Sequence, residues 1–325
     1  MQDFQAISIL GSGLIAFCVA WLLAARLVPA PLAQPNARSL HTNPVPRIGG
    51  VAIWGGWIVA LWAVPVPWRW MVPFTFVVGV SLLDDFRPVP AALRLTVHSV
   101  AAVAALAVVV DQTWWMLAFH ALVIVWMANL YNFMDGADGL AGTMSVIGFG
   151  AYAAAAAIGG GTDLALLCSA LAVACAAFLA FNRPPARLFM GDVGAVGLGF
   201  LAGLFGVQGL AAGFWPWWFP PLVFAPFILD TTATLIRRSL RRAPLASAHR
   251  DHFYQRAILV QSAHGSTVIE YAGWMAGCAL FALAGLRWIP EHGPFLLLVA
   301  ASCFGWYCWR IEKRWTAWSA TRNVV

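Results

Sequence analysis

Charge is scarce in this sequence of 325 residues: 10% of them are Asp, Glu, Lys or Arg, whereas 62% are apolar. Soluble domains carry about 25% charged residues. Apolar stretches of roughly 17–25 residues, each long enough to cross a bilayer, recur from one end to the other. The composition therefore excludes a soluble globular protein and predicts one integral membrane domain over residues 1–325.

Paired cysteines and a secretory leader are also lacking. The six cysteines fall within or at the ends of apolar segments, and none forms a Cys-x-x-Cys pair. This distribution argues against a disulfide framework or a zinc site. The first residues carry no basic stretch and the apolar run after them has no clear cleavage site, so that run is predicted to be a retained first helix.

Lysine is almost absent, and Lys313 is the single one. Arginine supplies the rest of the positive charge, and its planar guanidinium matches phosphate oxygens well. A codon-biased genome explains the same preference, and composition alone leaves both explanations open.

Hydropathy predicts an all-α, polytopic transmembrane bundle of about eleven helices. Their predicted ranges are 5–26, 48–65, 68–83, 94–110, 114–132, 140–158, 164–181, 194–211, 216–236, 268–286 and 294–310. If the N-terminus faces outside, every Arg and Lys except Arg69 and Arg287 lies on the opposite side of the membrane or at a helix end there. Cytoplasmic loops carry this excess, so the C-terminus is predicted to be cytoplasmic.

Acidic side chains gather on the same predicted side, close to helix ends. They are Asp84, Asp85, Asp135, Asp138, Asp192, Asp230 and Asp251. Carboxylates at the membrane edge are costly, and like charges from separate loops repel unless a cation or Arg side chains neutralise them. For the adjacent Asp84 and Asp85 taken alone, a helix cap is an equally good interpretation.

A row of polar side chains ends the fifth predicted helix. Asn129, Asn132, Asp135 and Asp138 recur every three residues. This spacing keeps side chains on one slowly drifting helix face. Two glycines in the row permit close approach of a ligand. A polar helix cap is the alternative, but it does not account for the whole row.

The segment 182–194 places Asn182, two arginines, Phe189 and Asp192 before and at a predicted helix start. Backbone N–H groups at a helix N-terminus favour anions. Carboxylate and amide oxygens without clustered thiols suit Mg²⁺ or Mn²⁺, and a metal beside arginines is typical of phosphoryl transfer. A positively charged loop with a capping Asp is the alternative.

The last predicted cytoplasmic loop, 237–267, is basic and contains His249 and His252. The four arginines at 237–242 are consistent with contacts to lipid headgroups. The two histidines are three residues apart and could face one ligand. Since no third histidine lies near them, we expect phosphate contact there, not metal binding.

Taken in order along the chain, these segments resemble the polyprenyl-phosphate N-acetylhexosamine-1-phosphate transferases, the MraY-like superfamily or glycosyltransferase family 4. The motifs are His41-Thr42-Asn43-Pro44-Val45-Pro46-Arg47-Ile48-Gly49-Gly50, Asp84-Asp85, Asn129–Ala141, Phe189-Met190-Gly191-Asp192 and His249–Arg256. Each motif is weak by itself, but five in order cover nearly the whole chain. The last loop and Pro226-Phe227-Ile228-Leu229-Asp230 are most similar to the O-antigen-initiating branch.

The resemblance implies roles for individual residues. Asp192 would bind Mg²⁺, or Mn²⁺, with Asn132 as second ligand. Asp84 and Asp85 would handle the lipid phosphate, one of them deprotonating it. Uridine contacts would come from Asp138, Asn182 and Phe189, and diphosphate or sugar-phosphate contacts from His249, Arg250 and His252. Asn129, Asp135, Arg94 and Arg47 are further candidate substrate contacts, and Arg87 and Arg94 stand where MraY-type enzymes carry lysines.

The implied reaction is transfer of a sugar-1-phosphate from a UDP-sugar to undecaprenyl phosphate, releasing UMP, as the first membrane step of O-antigen or another cell-envelope glycan. The implied donor is a simple UDP-N-acetylhexosamine, and the sugar itself stays open. Location in the bacterial inner membrane, with the site on the cytoplasmic face, and a homodimer are also implied. No nucleic acid is expected as a partner.

Two other classes of membrane protein fit the sequence less well. A CDP-alcohol phosphatidyltransferase also uses a D-x-x-D-G row, but the further spaced Asp residues that it needs do not follow Asp138 here. A transporter would carry its polar groups near the membrane midplane between inverted repeats. Here they lie towards one face, and no repeat is visible.

Overall fold

Most of the described part of the chain is α-helical, because apolar runs in a bilayer must satisfy their backbone hydrogen bonds within the segment. The computed structural model describes residues 2–34, 44–64, 68–243, 250–261 and 264–322. The helices are α1 (Gln2–Ala24), α2 (Gly50–Trp57), α3 (Trp68–Phe86), α4 (Ala91–Val109), α5 (Trp114–Met134), α6 (Leu140–Ile158), α7 (Thr162–Asn182), α8 (Gly191–Ala211), α9 (Phe219–Val223), α10 (Ala225–Leu240), α11 (Phe253–Gln261), α12 (His264–Trp288) and α13 (Gly293–Arg322). Two short strands, β1 (Leu32–Ala33) and β2 (Val45–Pro46), pair antiparallel.

Eight helices in the described residues are long and apolar enough to cross a membrane: α1, α4, α5, α6, α7, α8, α12 and α13. Three further stretches complete the pattern, namely α2 with the 3-10 turn Ile58–Trp62 that follows it, α3, and the consecutive pair α9 and α10. These stretches correspond to the predicted helices, so the predicted all-α polytopic fold is confirmed.

Three features differ from the predicted helices. The stretch predicted at 216–236 is two helices that meet at Phe224, where prolines at 220, 221 and 226 remove backbone donors. Helix α13 continues to Arg322, well past the predicted end at 310, because hydropathy does not detect the more polar turns that follow the apolar run. The short helix α11 was not predicted, since nine residues of mixed polarity carry a weak periodic signal.

Exposed tryptophans mark one end of the bundle. Trp62, Trp114 and Trp288 are 84%, 81% and 73% exposed, and all lie at the ends of helices remote from the predicted site. Tryptophan is enriched where a membrane meets water, because its ring is amphipathic. This end of the bundle is therefore suited to the membrane interface.

Helix α8 is the centre of the bundle, buried along nearly its whole length and packed on α5. A Cβ on Gly199 would lie 2.3 Å from the carbonyl oxygen of Met127 and 2.7 Å from Cα of Ala128. Small residues of this kind let membrane helices approach closely. The contact brings the polar end of α5 next to the N-terminus of α8, where Asp192 lies.

Candidate active site

Asp85, at the end of α3, caps the N-terminus of α8. Its Oδ1 accepts the backbone N–H of Asp192 at 3.1 Å, and its Oδ2 accepts that of Val193 at 3.0 Å. Arg47 donates to Oδ1 through Nη2 at 2.8 Å and Nε at 3.1 Å. The Asp85 side chain is completely buried. This geometry lets Asp85 position α8, and its predicted role towards the lipid phosphate stays a prediction.

The turn before α8 depends on Gly191, whose φ is +74°. A Cβ at this position would meet the carbonyl oxygen of Arg47 at 1.9 Å and the Asp85 carboxylate at 2.7 Å. Only glycine adopts this conformation without strain and also leaves room for the neighbouring backbone. The glycine of the Phe189–Asp192 motif is therefore explained by close packing beneath the site.

Arg94, in the first turn of α4, joins two carboxylates. Its Nη1 donates to Oδ2 of Asp84 and, at 2.9 Å, to Oδ2 of Asp192. Asp84 also accepts the backbone N–H of Val89 at 2.6 Å, which fixes the turn between α3 and α4. Unlike Asp85, Asp84 and Asp192 keep part of their side chains exposed, at 12% and 19%. Asp85 thus caps α8 from a buried position, whereas the partly exposed Asp84 binds Arg94.

The polar row predicted on α5 faces this cluster. Asn132 Nδ2 lies 3.4 Å from Oδ2 of Asp192. Asn129, about one turn deeper, donates to the carbonyl oxygen of Val125 in its own helix at 2.7 Å. Asp135 directly follows α5, and within the described residues its carboxylate forms no hydrogen bond or ion pair. Burial raises the pKa of Asp135 well above its ordinary value, and the charges of Asp192, Asp85 and Asp138 raise it further.

Asn182 and Asp138 hold the loop between α7 and α8 in place. Asn182 is 2% exposed; its Oδ1 accepts the N–H of Gly139 at 3.0 Å and its Nδ2 donates to the carbonyl oxygen of Leu188 at 2.9 Å. Asp138 Oδ2 accepts the N–H of Ala186 at 2.9 Å. Phe189, half-buried, is anchored through its backbone to Pro46 and Gly49. Both amide atoms of Asn182 thus hold the loop in position, and its predicted contact with uridine stays a prediction.

The last loop folds back onto the end of α5. The Tyr254 hydroxyl donates to the carbonyl oxygen of Phe133 at 3.1 Å, and the ring of His252 lies 6.2 Å from that of Phe133, centroid to centroid. His252 is 3% exposed, and its Nδ1 lies 3.1 Å from Oδ1 of Asp230. Arg250 is half-buried at the start of this segment. His249 lies outside the described residues, as do His41, Thr42 and Asn43 of the first motif.

An ion-pair network ties the same loop to α10 and α13. Glu312 of α13 accepts from Arg237 at 2.8 Å and from Arg256 at 2.6 Å. Arg256 also donates to Asp251 at 3.2 Å, and Arg238 pairs with the same carboxylate. The sequence reasoning missed Glu312, although one acidic residue within the basic run Arg310–Arg314 was an available signal. Arg237, Arg238 and Arg256 therefore form ion pairs within the protein, whether or not they also contact a ligand.

The residues at the head of α8 fit a divalent cation. Five carboxylates (at 84, 85, 135, 138 and 192) share this region, whereas the side chains of Arg47 and Arg94 pair with three of them. Within the described residues no three His, Cys, Asp or Glu side chains form a metal-binding group by themselves. Mg²⁺ needs no such group, because it usually binds one or two carboxylates and completes its shell with water and substrate phosphate. Rotating the Asn132 amide would place its oxygen beside that of Asp192.

The structure therefore brings most of the predicted residues together. Arg47, Asp84, Asp85, Arg94, Asn132 and Asp192 form one connected cluster, and Asp135 lies beside it. Asp138, Asn182 and Phe189 belong to the adjoining loop, and His252 borders the cluster through Phe133. Their roles towards ligands stay predictions. Asp230 and Tyr254 were not predicted as site residues, because their contacts join segments distant in sequence.

Known proteins with sequences related to this chain are named as transferases that act on lipid-linked substrates. The model of glycosyl transferase family 4 matches residues 68–210. A Bacillus subtilis protein named "Probable undecaprenyl-phosphate N-acetylglucosaminyl 1-phosphate transferase" is 25% identical over 290 residues, covering 82% of this chain and 81% of its own. An "Undecaprenyl-phosphate alpha-N-acetylglucosaminyl 1-phosphate transferase" of Yersinia pestis is 26% identical over 335 residues, covering 91% of each chain.

A third relative aligns over a shorter stretch. The "Phospho-N-acetylmuramoyl-pentapeptide-transferase" of Chloroflexus aggregans is 34% identical over 125 residues, which are 38% of this chain and 33% of the relative. Of these three relatives, the two named N-acetylglucosaminyl 1-phosphate transferases align over most of the chain. The chain is therefore similar to glycosyl transferase family 4 over residues 68–210, and to undecaprenyl-phosphate N-acetylglucosaminyl 1-phosphate transferases over most of its length.

Proposed function

We propose that the protein transfers N-acetylglucosamine-1-phosphate, or a closely related N-acetylhexosamine-1-phosphate, from its UDP-sugar to undecaprenyl phosphate and releases UMP. The observation that supports this most is the bridge from Arg94 to Asp84 and Asp192, beside the carboxylate of Asp135, which has no ionic partner among the described residues. Cationic and anionic groups alternate there at the end of a membrane bundle. Such an arrangement suits a diphosphate held by arginine and a divalent cation.

In the proposed reaction, an oxygen of the acceptor phosphate attacks the phosphorus that carries the sugar. The bond from that phosphorus to the bridging oxygen of UDP breaks, and UMP leaves with the electron pair. The second pKa of a phosphate monoester is about 6, so the acceptor is largely a dianion at neutral pH and needs no strong base. Asp84, bound to Arg94, then acts by holding that arginine where the phosphates meet.

Asp192 and Asn132 are the residues proposed to hold Mg²⁺, with Mn²⁺ as the alternative ion. The ion would neutralise charge on the donor diphosphate. The side chains supply the rest: Arg94 contacts a phosphate, Arg47 and Asp85 hold the head of α8 in place, and the half-buried Phe189 offers its ring to uracil. Positioning and charge neutralisation account for most of the rate in phosphoryl transfer.

An apolar cavity of about 370 Å³ supports a polyprenyl acceptor. It lies between α5, α8, α9 and α10, and Val123, Met127, Ala202 and Ile228 are among its lining residues. Met127 is five residues before Asn132 on the same helix, so the cavity approaches the cluster from within the bilayer. From Met127 it extends to Phe119 and Leu210, towards the opposite end of the bundle, and we propose that it takes part of the isoprenoid chain.

The cavity proposal has a matched test. Val123→Trp fills the cavity and is expected to raise KM for undecaprenyl phosphate while leaving KM for the UDP-sugar unchanged. Val100→Trp is the control, because Val100 lines a separate apolar cleft between α3 and α4. If Val100→Trp raises the acceptor KM and Val123→Trp does not, the chain lies in the other cleft.

The principal experiment measures UMP release by the purified, detergent-solubilised protein with Mg²⁺, undecaprenyl phosphate and a panel of UDP-N-acetylhexosamines. Release that needs both lipid and metal is expected, fastest with UDP-N-acetylglucosamine. Asp192→Asn should abolish it, whereas Asp163→Asn, an exposed acid at the far end of α7, should not. Near-normal turnover by Asp192→Asn, or no release with any donor, contradicts the proposal. Uptake of a labelled sugar nucleotide into sealed vesicles without lipid-linked product would favour a transporter.

Location in the bacterial inner membrane with the cytoplasm at the carboxylate end, and a homodimer, complete the proposal. The excess of arginine at that end supports the orientation. Labelling of single introduced cysteines in intact cells tests the orientation, and light scattering of the detergent complex tests the dimer.

A further inference from the structure

Asp230 of α10 is fully buried and accepts hydrogen bonds from two other segments, the start of α11 and α12. Oδ1 accepts from the backbone N–H of Phe253 at 3.1 Å and lies 3.1 Å from Nδ1 of His252. Oδ2 accepts from the backbone N–H of Tyr254 at 3.0 Å and from the Tyr271 hydroxyl of α12 at 2.5 Å. The carboxylate therefore joins α10, the start of α11 and α12 at one point.

A buried carboxylate is stable only when its oxygens are satisfied. Here two of the donors are the first backbone N–H groups of α11, where the helix dipole favours negative charge. A helix cap needs only the two backbone contacts. The additional contact with His252 joins a residue of the last loop to the interior of the bundle.

The contact determines which nitrogen of His252 carries the proton. An ionised carboxylate can only accept hydrogen bonds, so Nδ1 is the donor and the Nδ1–H form is selected. In the imidazolium form Nε2 carries a proton as well, and Nε2–H is then the ring donor that can contact an anion. The ring is held against Phe133, the neighbour of Asn132 in the polar row of α5. Tyr254 holds the loop there through the carbonyl oxygen of Phe133.

We propose that Asp230 is a positioning residue that acts through His252: it fixes the orientation of the ring through Nδ1–H, so that the imidazolium form can donate from Nε2–H to the diphosphate of the donor. This inference rests on the proposed function, in which His252 contacts those phosphates. Asp230 itself, fully buried beneath the loop, touches no substrate.

A double-mutant cycle tests the inference. UMP release is measured for wild type, Asp230→Asn, His252→Gln and the double variant, and kcat/KM is compared. Each single variant is expected to lose about 10–100-fold, the range seen when the partner that orients a functional histidine is removed. The double variant should fall no further than His252→Gln, because Asp230 has no effect once the ring is gone. Effects that multiply would show that Asp230 acts independently of His252 and would overturn the inference.

Tyr271→Phe is the matched structural control. It removes a hydrogen bond from Oδ2 of the same buried carboxylate but leaves the contact between Oδ1 and His252. Its kcat/KM is expected to remain within about threefold of wild type, because the contact between Asp230 and His252 is retained. A loss as large as that of Asp230→Asn would mean that general packing of the cluster, and not His252, is what matters.

Folding and function can be separated. If Asp230→Asn does not fold, as judged by its melting temperature in detergent, Asp230→Glu takes its place in the cycle, since it retains the charge. Wild type that releases no UMP with any donor would refute the proposed function itself. An active wild type with a multiplicative cycle, or with His252→Gln at full activity, would refute only the inference about Asp230.

Discussion

The Nη1 nitrogen of Arg94 lies 2.9 Å from Oδ2 of Asp192 and also donates to Asp84. One guanidinium nitrogen therefore bridges two carboxylates that reach the site from different helices, and the three groups together keep a net negative charge when both carboxylates are ionised. A divalent cation at Asp192 would compete with this arginine for the same oxygen. Removing the positive charge of Arg94 should therefore change how strongly Asp192 attracts the cation.

Arg94→Gln is expected to lower kcat/KM by about tenfold or more, because a charge-assisted hydrogen bond is lost. The concentration of Mg²⁺ needed for half-maximal activity is expected to fall, since the unpaired carboxylates attract the ion more strongly. Arg87→Gln, which removes an exposed charge from the same loop, is the control. A metal titration of UMP release checks both, and a higher Mg²⁺ requirement in Arg94→Gln would contradict the prediction.

The adjacent residues Asp84 and Asp85 should separate stability from activity. Asp85→Asn leaves Arg47 without its buried partner and weakens the cap of α8, so we expect a loss of about 3 kcal/mol in unfolding free energy. Asp84→Asn should lower the melting temperature less and turnover more. Thermal unfolding in detergent and UMP release, measured on both variants, test this. Equal melting temperatures would mean that the cap contributes little.

Gly199 tests whether the close contact of α5 and α8 sets the geometry of the site. In Gly199→Ala the new Cβ would lie 2.3 Å from the Met127 carbonyl oxygen, so the helices must move apart. A displacement near 1 Å can reduce turnover on the order of 100-fold. Gly150→Ala in α6 is the matched control, because a Cβ there meets nothing within 4 Å. If both variants keep wild-type turnover, the contact does not position Asn132.

The loop before α11 should keep its stability over the physiological pH range. Burial opposes ionisation of Asp251, but hydrogen bonds from Arg238 and Arg256 outweigh it and hold the pKa of this carboxyl below its ordinary value. A depressed pKa contributes stability above the unfolded pKa of about 4, and this is lost as pH falls through the lower folded value. The melting temperatures of wild type and Asp251→Asn should therefore differ equally at pH 6 and pH 8. A gap that closes between those values would place the titrating group elsewhere.

Much of the site was predictable because its residues have few alternative uses in a membrane protein. A row of Asn and Asp at three-residue spacing ending an apolar helix, or an Asp between glycines at a helix start, is costly without a function. Asp230 and Glu312 were harder to identify. Each is one acidic residue on its own helix, and its partners lie on segments that only folding brings near.

The apolar runs, the one-sided arginines and the five ordered motifs were sufficient to predict an all-α membrane transferase with its carboxylates at one end. Which carboxylate is buried and which faces a ligand required the folded bundle. Neighbouring residues on a helix point roughly 100° apart, so packing against α8 turns Asp85 inward and leaves Asp84 beside Arg94. The pattern of residue types is carried along the chain, whereas burial is set by which helix face meets a neighbour.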